Sequence, residues 1–379
     1  MISWREGLVT ALGRAWPGAQ ELTVQVGEAS VKALAFPALV GQPTVGDRVL
    51  LNTTAQNLGL GTGGYAMVTA LPDRLPPDPP PGPGHLVKAR YTPLQTIVLG
   101  ADEQDSPYHD LLREADSIDG MPVVTADLHS ALPAVCAAIL ADRPGTRIVY
   151  VMSDGGALPL WFSRTVAQLR EAGWLAGTVT VGQAFGGDLE AVTVHTGLLT
   201  ARLIQQADVA VLTQGPGNLG TGTRWGFSGV GCGEAVNAAA VLGGRPVGVL
   251  RVSEADARER HLGLSHHSVT AYGRVALARA ELAVPAEPGP FWDKVREQAA
   301  ELAGRHDLRE VDCAGLDEAL AASPAPLSTM GRGLAADRAN FLAAAAAGRL
   351  AAAGLSGPAP GCGKVDGDNG SRKDHNDGA

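Results

Sequence analysis

Period-two alternation between Glu21 and Ala70, a proline-rich break after it, and a later series of short β-branched runs separated by helix-length amphipathic stretches predict an α/β fold. The expected architecture is a doubly wound, mainly parallel sheet preceded by a small antiparallel β-rich, barrel-like domain. At 379 residues the chain is long enough for more than one core.

In the first region, Leu22-Thr23-Val24-Gln25-Val26 and Arg48-Val49-Leu50-Leu51 alternate, and Gly27, Gly41, Pro43 and Gly46 interrupt them. Short antiparallel strands closing a small barrel or sandwich over 1–75 follow from that pattern. Residues 76–85 carry Pro76-Pro77-Asp78-Pro79-Pro80-Pro81-Gly82-Pro83-Gly84. Missing N–H groups and fixed φ angles exclude helix and sheet there, so this is the linker. Over 86–285, Thr96 to Leu99, Val123 to Thr125, Ile148 to Met152, Thr178 to Val181, Val209 to Leu212 and Val247 to Val252 read as strands of a parallel sheet. The helices expected between them cover Pro107 to Ala115, Leu132 to Ala141, Leu160 to Ala172, Leu189 to Gln206 and Glu234 to Leu242. A helical extension is expected over 286–353, with helices at Phe291 to Leu302 and Ala335 to Ala353 and a short strand near Val311. Residues 354–379 lack apolar periodicity and read as a disordered tail.

Acidic residues outnumber basic ones by 39 to 30, a net charge of -9, and no basic block interleaves with aromatics; nucleic acid is therefore not an expected partner. The start Met1-Ile2-Ser3-Trp4-Arg5-Glu6 lacks the apolar run of a signal peptide, and no later run suits a membrane span, so a cytoplasmic protein with no membrane partner is expected. The four cysteines, Cys136, Cys232, Cys313 and Cys362, are widely spaced and suggest neither a disulfide framework nor a zinc knuckle. Cys232 lies in Gly229-Val230-Gly231-Cys232-Gly233, but no neighbouring base marks it as a nucleophile, and it reads as a buried thiol. No motif specifies a cofactor or a metal, and homo-oligomerisation is left open.

In open α/β sheets the ligand crevice lies beyond the carboxyl ends of the strands, so the residues just after each strand are the place to look for chemistry. They include Asp102-Glu103, Asp127 and His129, Ser153-Asp154-Gly155-Gly156, Gln183 and Asp188, the run 214–224, and Arg251 to Ser253. Within 214–224, Gly217, Gly220, Thr221, Gly222, Thr223 and Arg224 form a Gly/Thr loop whose backbone N–H groups, hydroxyls and guanidinium suit a phosphate or carboxylate. It has neither the P-loop G-K-[ST] nor the dinucleotide spacing, and its alternative is a structural turn. The segment 251–267 gathers Arg251, His261, His266 and His267 among further arginines and carboxylates, a set able to transfer protons, ligate a metal or clamp an anion. Solvated helix faces of this composition are also common. Asp154, Asp188 and Glu190 are candidate bases or helix caps, capping being favoured for Asp188. The glycine-rich loop 59–64 is expected to face the crevice.

These residues resemble a bacterial family known as domain of unknown function 3866. The resemblance rests on Leu58-Gly59-Leu60-Gly61-Thr62-Gly63-Gly64-Tyr65, Arg90-Tyr91-Thr92-Pro93-Leu94-Gln95, Asp119-Gly120-Met121-Pro122-Val123, Ala184-Phe185-Gly186-Gly187-Asp188-Leu189-Glu190-Ala191, Gly220-Thr221-Gly222-Thr223, Gly226-Phe227-Ser228-Gly229 and His261-Leu262-Gly263-Leu264-Ser265-His266-His267. It spans about Val49 to Met330 and implies no particular reaction. The residues themselves lead to an expected enzyme, a hydrolase or transferase, acting on a small anionic metabolite. The ligand would be held by the Gly/Thr loop, Arg224 and Arg251, protons would be moved by His129, His261 and His266, and Asp154 and Asp188 would position these groups or a metal. The alternative is a non-catalytic sensor or scaffold that binds a similar anion.

Overall fold

The structure, a computed structural model, describes residues 1–355. The tail expected over 354–379 lies, from residue 356, outside the described residues.

Five strands, β1 (Trp4–Trp16), β2 (Ala19–Val26), β3 (Ala29–Ala35), β4 (Arg48–Asn52) and β5 (Ala66–Ala70), joined in part through the single turns α1 (Pro37–Val40) and α2 (Thr54–Asn57), close into a barrel in the order β1-β2-β3-β5-β4. All neighbours are antiparallel except β3 and β5. This is the strand order of an OB-type Greek-key barrel, which by itself assigns no ligand. Val9, Leu22, Val24, Val49, Leu51 and Val68 fill the interior. The strand β1 escapes a reading by periodicity because Val9 is its one fully buried residue while Trp4, Leu8 and Leu12 stay exposed.

After the linker, β6 (Leu86–Lys88) and β7 (Thr96–Val98) pair as an antiparallel hairpin ahead of the one-turn helix α3 (His109–Leu112). The run 96–99 thus belongs to a hairpin instead of the parallel sheet, and the helix expected over 107–115 is confined to one turn. The hairpin is pinned through Lys88. Its ammonium is buried and donates to the carbonyls of Gly182, Ala184 and Ala191 at 2.8, 2.8 and 3.1 Å, and its Nζ lies 3.3 Å from a Glu190 carboxylate oxygen.

Strand and helix then alternate through β8 (Pro122–Ala126), α4 (Leu132–Asp142), β9 (Ile148–Ser153), α5 (Arg164–Glu171), β10 (Gly177–Thr180), β11 (Leu189–Glu190), α6 (Val194–Leu199), β12 (Val209–Gln214), α7 (Gly231–Val241) and β13 (Arg245–Gly248). A two-stranded hairpin, β14 (Val252–Ser253) and β15 (Gly263–Leu264), leads into the short helix α8 (His266–Thr270). The chain continues with β16 (Glu281–Pro285), α9 (Pro290–Ala299), β17 (Asp307–Val311), α10 (Leu316–Ala321), the hairpin β18 (Ser328–Thr329) and β19 (Arg332–Gly333), and α11 (Arg338–Ala353). Eight of these strands form one parallel sheet in the order β11-β10-β9-β12-β8-β13-β16-β17.

Helices cover both faces, which is why β8 is buried at every residue. Val124, Tyr150 and Val211 face α4 and α11, whereas Val123, Val149 and Ala210 face α6 and α7. Two further expectations are corrected. The helix read over 189–206 starts at Val194, capped by Thr193, because Glu190 turns inward in β11 and its carboxylate accepts from the Thr180 hydroxyl and the Gly186 N–H, each at 2.7 Å. Residues 286–353, read as an extension, are built into the α/β unit: β17 lengthens the sheet and α11 buries its alanines on it.

The barrel docks on this unit. Trp16 Nε1 donates to the Trp161 carbonyl at 2.6 Å, the Phe36 and Trp161 rings lie 6.2 Å apart, and Glu21 joins Tyr65 to Arg164. Gly18, at φ +83°, packs so closely that a Cβ there would sit 2.3 Å from the Trp161 ring. The glycine-rich loop also reaches the crevice, since a Cβ on Gly217 would stand 3.9 Å from the Gly61 carbonyl oxygen.

Candidate functional site

The chain order around the sheet reverses at β8. The strand β12 returns between β9 and β8, and β13 then crosses to the other side of β8. Such a switch point opens a crevice at the strand carboxyl ends. Three side chains mark it: Asp127 just beyond β8, Gln214 at the end of β12, and Arg251 beyond β13. Gln214 Nε2 donates to the Asp127 carbonyl at 2.7 Å and to Asn218 Oδ1 at 3.0 Å, which ties the loop after β12 to the end of β8.

The chain after Arg251 makes an excursion and folds back. Ser265 N donates to the Arg251 carbonyl, and Arg251 N to Ser268 Oγ, so the segment carrying the histidines is clamped beside β13. The Ser265 side chain caps α8 by accepting from His267 N at 3.2 Å, as an N-cap serine does. The outward part of the excursion is held by buried charge. Asp337 accepts from Ser253 Oγ, Glu254 N and Arg332 Nε, and Asp256 binds Arg258 and Arg332.

Within this frame His261, His266 and His267 come together. Their ring centroids are 5.0 Å apart for His261 and His266, 4.8 Å for His261 and His267, and 4.5 Å for His266 and His267. One ring nitrogen of each lies within 4.8 Å of the others. His261 Nδ1 is 2.7 Å from Ser265 Oγ, and His267 Nδ1 is 3.0 Å from Arg251 Nη1 and 3.7 Å from Asp127 Oδ2. Phe227, at the end of the Gly/Thr loop, stacks on His267 with centroids 3.7 Å apart and planes 4° from parallel.

Burial, with help from the charges of Arg251 and Arg258, pushes His261 down to about 3; burial and the charges of His267 and Arg260 push His266 down to about 4. Both rings are neutral near pH 7, with lone pairs available. The fully buried Asp127 feels an upward push from desolvation, but hydrogen bonds and charge from His267 and Arg251 outweigh it and keep the carboxyl below its ordinary range.

The residues expected at the site divide into three groups. His261, His266 and Arg251 converge, although the Arg251 guanidinium is spent on Asp127, at 3.4 Å, and on His267. In the Gly/Thr loop, the hydroxyls of Thr221 and Thr223 are 3.1 Å from each other, and Gly226 N donates to Thr223 Oγ1. The loop therefore closes on itself. Gly217, Gly220 and Gly222 are exposed along it, and Arg224 is exposed with no hydrogen-bond or carboxylate partner among the described residues.

Three candidates stand elsewhere. His129 is buried with Nδ1 2.9 Å from the Tyr150 hydroxyl and Nε2 2.8 Å from Ser163 Oγ, so both ring nitrogens are engaged; it borders a crevice of about 240 Å³ formed with Pro216, Gly217, Asn218 and Met330. Asp154 accepts from Gln183 N at 2.9 Å and secures that turn. Asp188 is paired with Arg170 and accepts from Thr178 N, and it precedes the strand β11 instead of capping a helix. Phe227 and the buried role of Asp127 were not assigned from the sequence, and His267 was gathered with the other histidines but given no separate role. The position of Asp127 directly after a β-branched run was the signal available for it; Phe227 had none.

The architecture and site define a two-unit α/β protein: an OB-type barrel docked on a doubly wound parallel sheet with a histidine cluster at its switch point. The chain belongs to the family described as Protein of unknown function (DUF3866), which matches residues 32–348. No curated protein matches it. No helix among the described residues is long and apolar enough to cross a membrane.

Proposed function

We propose that this protein is an enzyme of the hydrolase or transferase class that binds a small anionic metabolite at the mouth of the histidine cluster. The observation that carries the reading is the pairing of two unlike poles in one place. His261 and His266 offer neutral imidazoles, while Arg260 projects beside them as an exposed cation with no carboxylate or hydrogen-bond partner among the described residues. A Cβ on Gly222 would lie 3.6 Å from Arg260 Nη2, so the Gly/Thr loop and Arg260 border the same opening. An anion held by Arg260, with Arg224 on the adjoining loop, would present its reacting end to imidazole nitrogens that are unprotonated at neutral pH. The buried thiols of Cys136, Cys232 and Cys313 support a reducing, cytoplasmic setting.

The test is a thermal-shift screen of phosphorylated and carboxylated metabolites, followed by titration of the wild type and Arg260→Ala and by product detection. Loss of a charge-assisted hydrogen bond worth about 1.5–3 kcal/mol should weaken the ligand about 10- to 100-fold while leaving the melting temperature of the free protein unchanged. Equal affinity in Arg260→Ala would remove the anion pole. Binding without turnover would instead identify a sensor.

A further inference from the structure

We propose that His261, His266 and His267 form a binding site for one divalent transition-metal ion of the zinc class, with a further coordination position left to water or to the crevice ligand. The proposal rests on reading this cluster as the reactive pole, but it is tested without turnover. Three imidazoles with an open fourth position are the donor set of catalytic zinc sites, and nitrogen donors select zinc-type ions over magnesium or calcium, which take oxygen.

The geometry has the required economy. His261 Nδ1 is engaged by Ser265 Oγ, and His267 Nδ1 faces Arg251 and Asp127. The ring nitrogens left for an ion are the Nε2 atoms of these two and that of His266. His266 Nε2 is buried and has no hydrogen-bond partner, an orphan that a metal ligand explains. The mutual separations of up to 4.8 Å exceed the roughly 3.3 Å between nitrogens of a tetrahedral zinc site with bonds of about 2.0–2.1 Å. Binding an ion therefore requires the three rings to turn inward from their positions here.

The surroundings also match. In metal sites the second nitrogen of each histidine is held by an outer partner; Ser265 stands in that position for His261, and Asp127 lies 3.7 Å from His267 Nδ1. Ligation through His267 Nε2 requires Nδ1 to carry the proton and face Asp127 in place of its contact with the Arg251 guanidinium, which donates only. Of the neighbouring cations, Arg251 is compensated by Asp127 and Arg258 by Asp256, while the exposed Arg260 is, among the described residues, the one left uncompensated beside His266.

The experiment uses the full chain. Metal-stripped protein is equilibrated with Zn2+ or Co2+, bound metal is counted, and the Co2+ absorption spectrum is recorded, with Mg2+ and Ca2+ as controls. One equivalent of Zn2+ or Co2+ per chain, and a Co2+ spectrum of low-symmetry, four- or five-coordinate type, are expected. His266→Ala and His266→Asn should each bind at least tenfold more weakly and lose that spectrum. His266 is half-buried and lies outside the hydrophobic core, so these variants should fold, and a circular-dichroism melt checks it. No stoichiometric binding by the wild type overturns the site outright. Metal retained at full strength by the folded His266 variants also overturns it, and would point to donors such as Cys362 and His375 near the chain end. A metal-free protein that still shows an Arg260-dependent ligand shift would refute this site while leaving the anion reading standing.

Discussion

His129 shows how a residue at a crevice loop can serve stability instead of chemistry. Burial alone pulls its pKa from 6.5 to about 4, against a small opposing effect of the Gln214 backbone. The folded value lies below the unfolded one, so the unfolded chain binds more protons between them, and stability present above about pH 6.5 is lost as the pH falls toward 4. At pH 5 this one group should cost about 2 kcal/mol relative to pH 7, from about 1.36 kcal/mol per pH unit. Urea melts at the two pH values should show His129→Gln losing less stability on acidification than the wild type by about that amount. Identical acid slopes would mean that the ring is free to take a proton in the folded protein.

At the scale of elements, the packing of α11 on α4 depends on the absence of a side chain. Gly348 lies in the interior of α11, where glycine costs about 1 kcal/mol relative to alanine in a free helix. Propensity alone therefore predicts that Gly348→Ala stabilises. The structure predicts the opposite sign: a Cβ at 348 would stand 2.4 Å from the Val135 carbonyl oxygen, which is α4 backbone and cannot rotate away. Separating the helices should cost about 1–3 kcal/mol net, read as a lower denaturant midpoint at an unchanged slope. A raised midpoint would show that the two helices do not approach so closely. Gly233 of α7 is in the same position against the Ala271 carbonyl, also at 2.4 Å.

For the whole molecule, the decisive contact is that between barrel and sheet. Trp161 meets Phe36 and Gly18 of the barrel on one side and Phe185 of the α/β unit, at 5.5 Å, on the other. Trp161→Ala removes that wedge, and because the ring is half-buried the loss should be about 2 kcal/mol, below the 3–5 typical of full burial. Calorimetry should resolve two transitions in the variant where the wild type shows one, and protease should cut faster within the proline-rich segment. A single sharp transition in Trp161→Ala would show that the units are coupled by other contacts. The same docking carries the 59–64 loop to Gly217, so the variant should also loosen the rim of the crevice.

The sequence by itself determined the elements whose pattern is local. Alternation at 22–26 and 48–51 marks strands with one buried face, the β-branched run at 123–125 and the apolar run at 148–152 mark strands buried on both, and the prolines at 76–83 separate the two units. It also determined which segments hold polar residues just past strand ends, and so brought Arg251, His261 and His266 into view. Only the tertiary structure decided the rest, because it depends on contacts far apart in the chain. Strand order decides that Gln214 lies beside Asp127, 87 residues away, and that Phe227 lies on His267. Hydrogen bonding decides that Thr221 and Thr223 satisfy each other, and that His129, Asp154 and Asp188 are spent on structure. A period in the sequence reports which face a residue turns inward; it carries no information on what will be packed opposite, since that is set by strand order and by the closure of loops between distant segments.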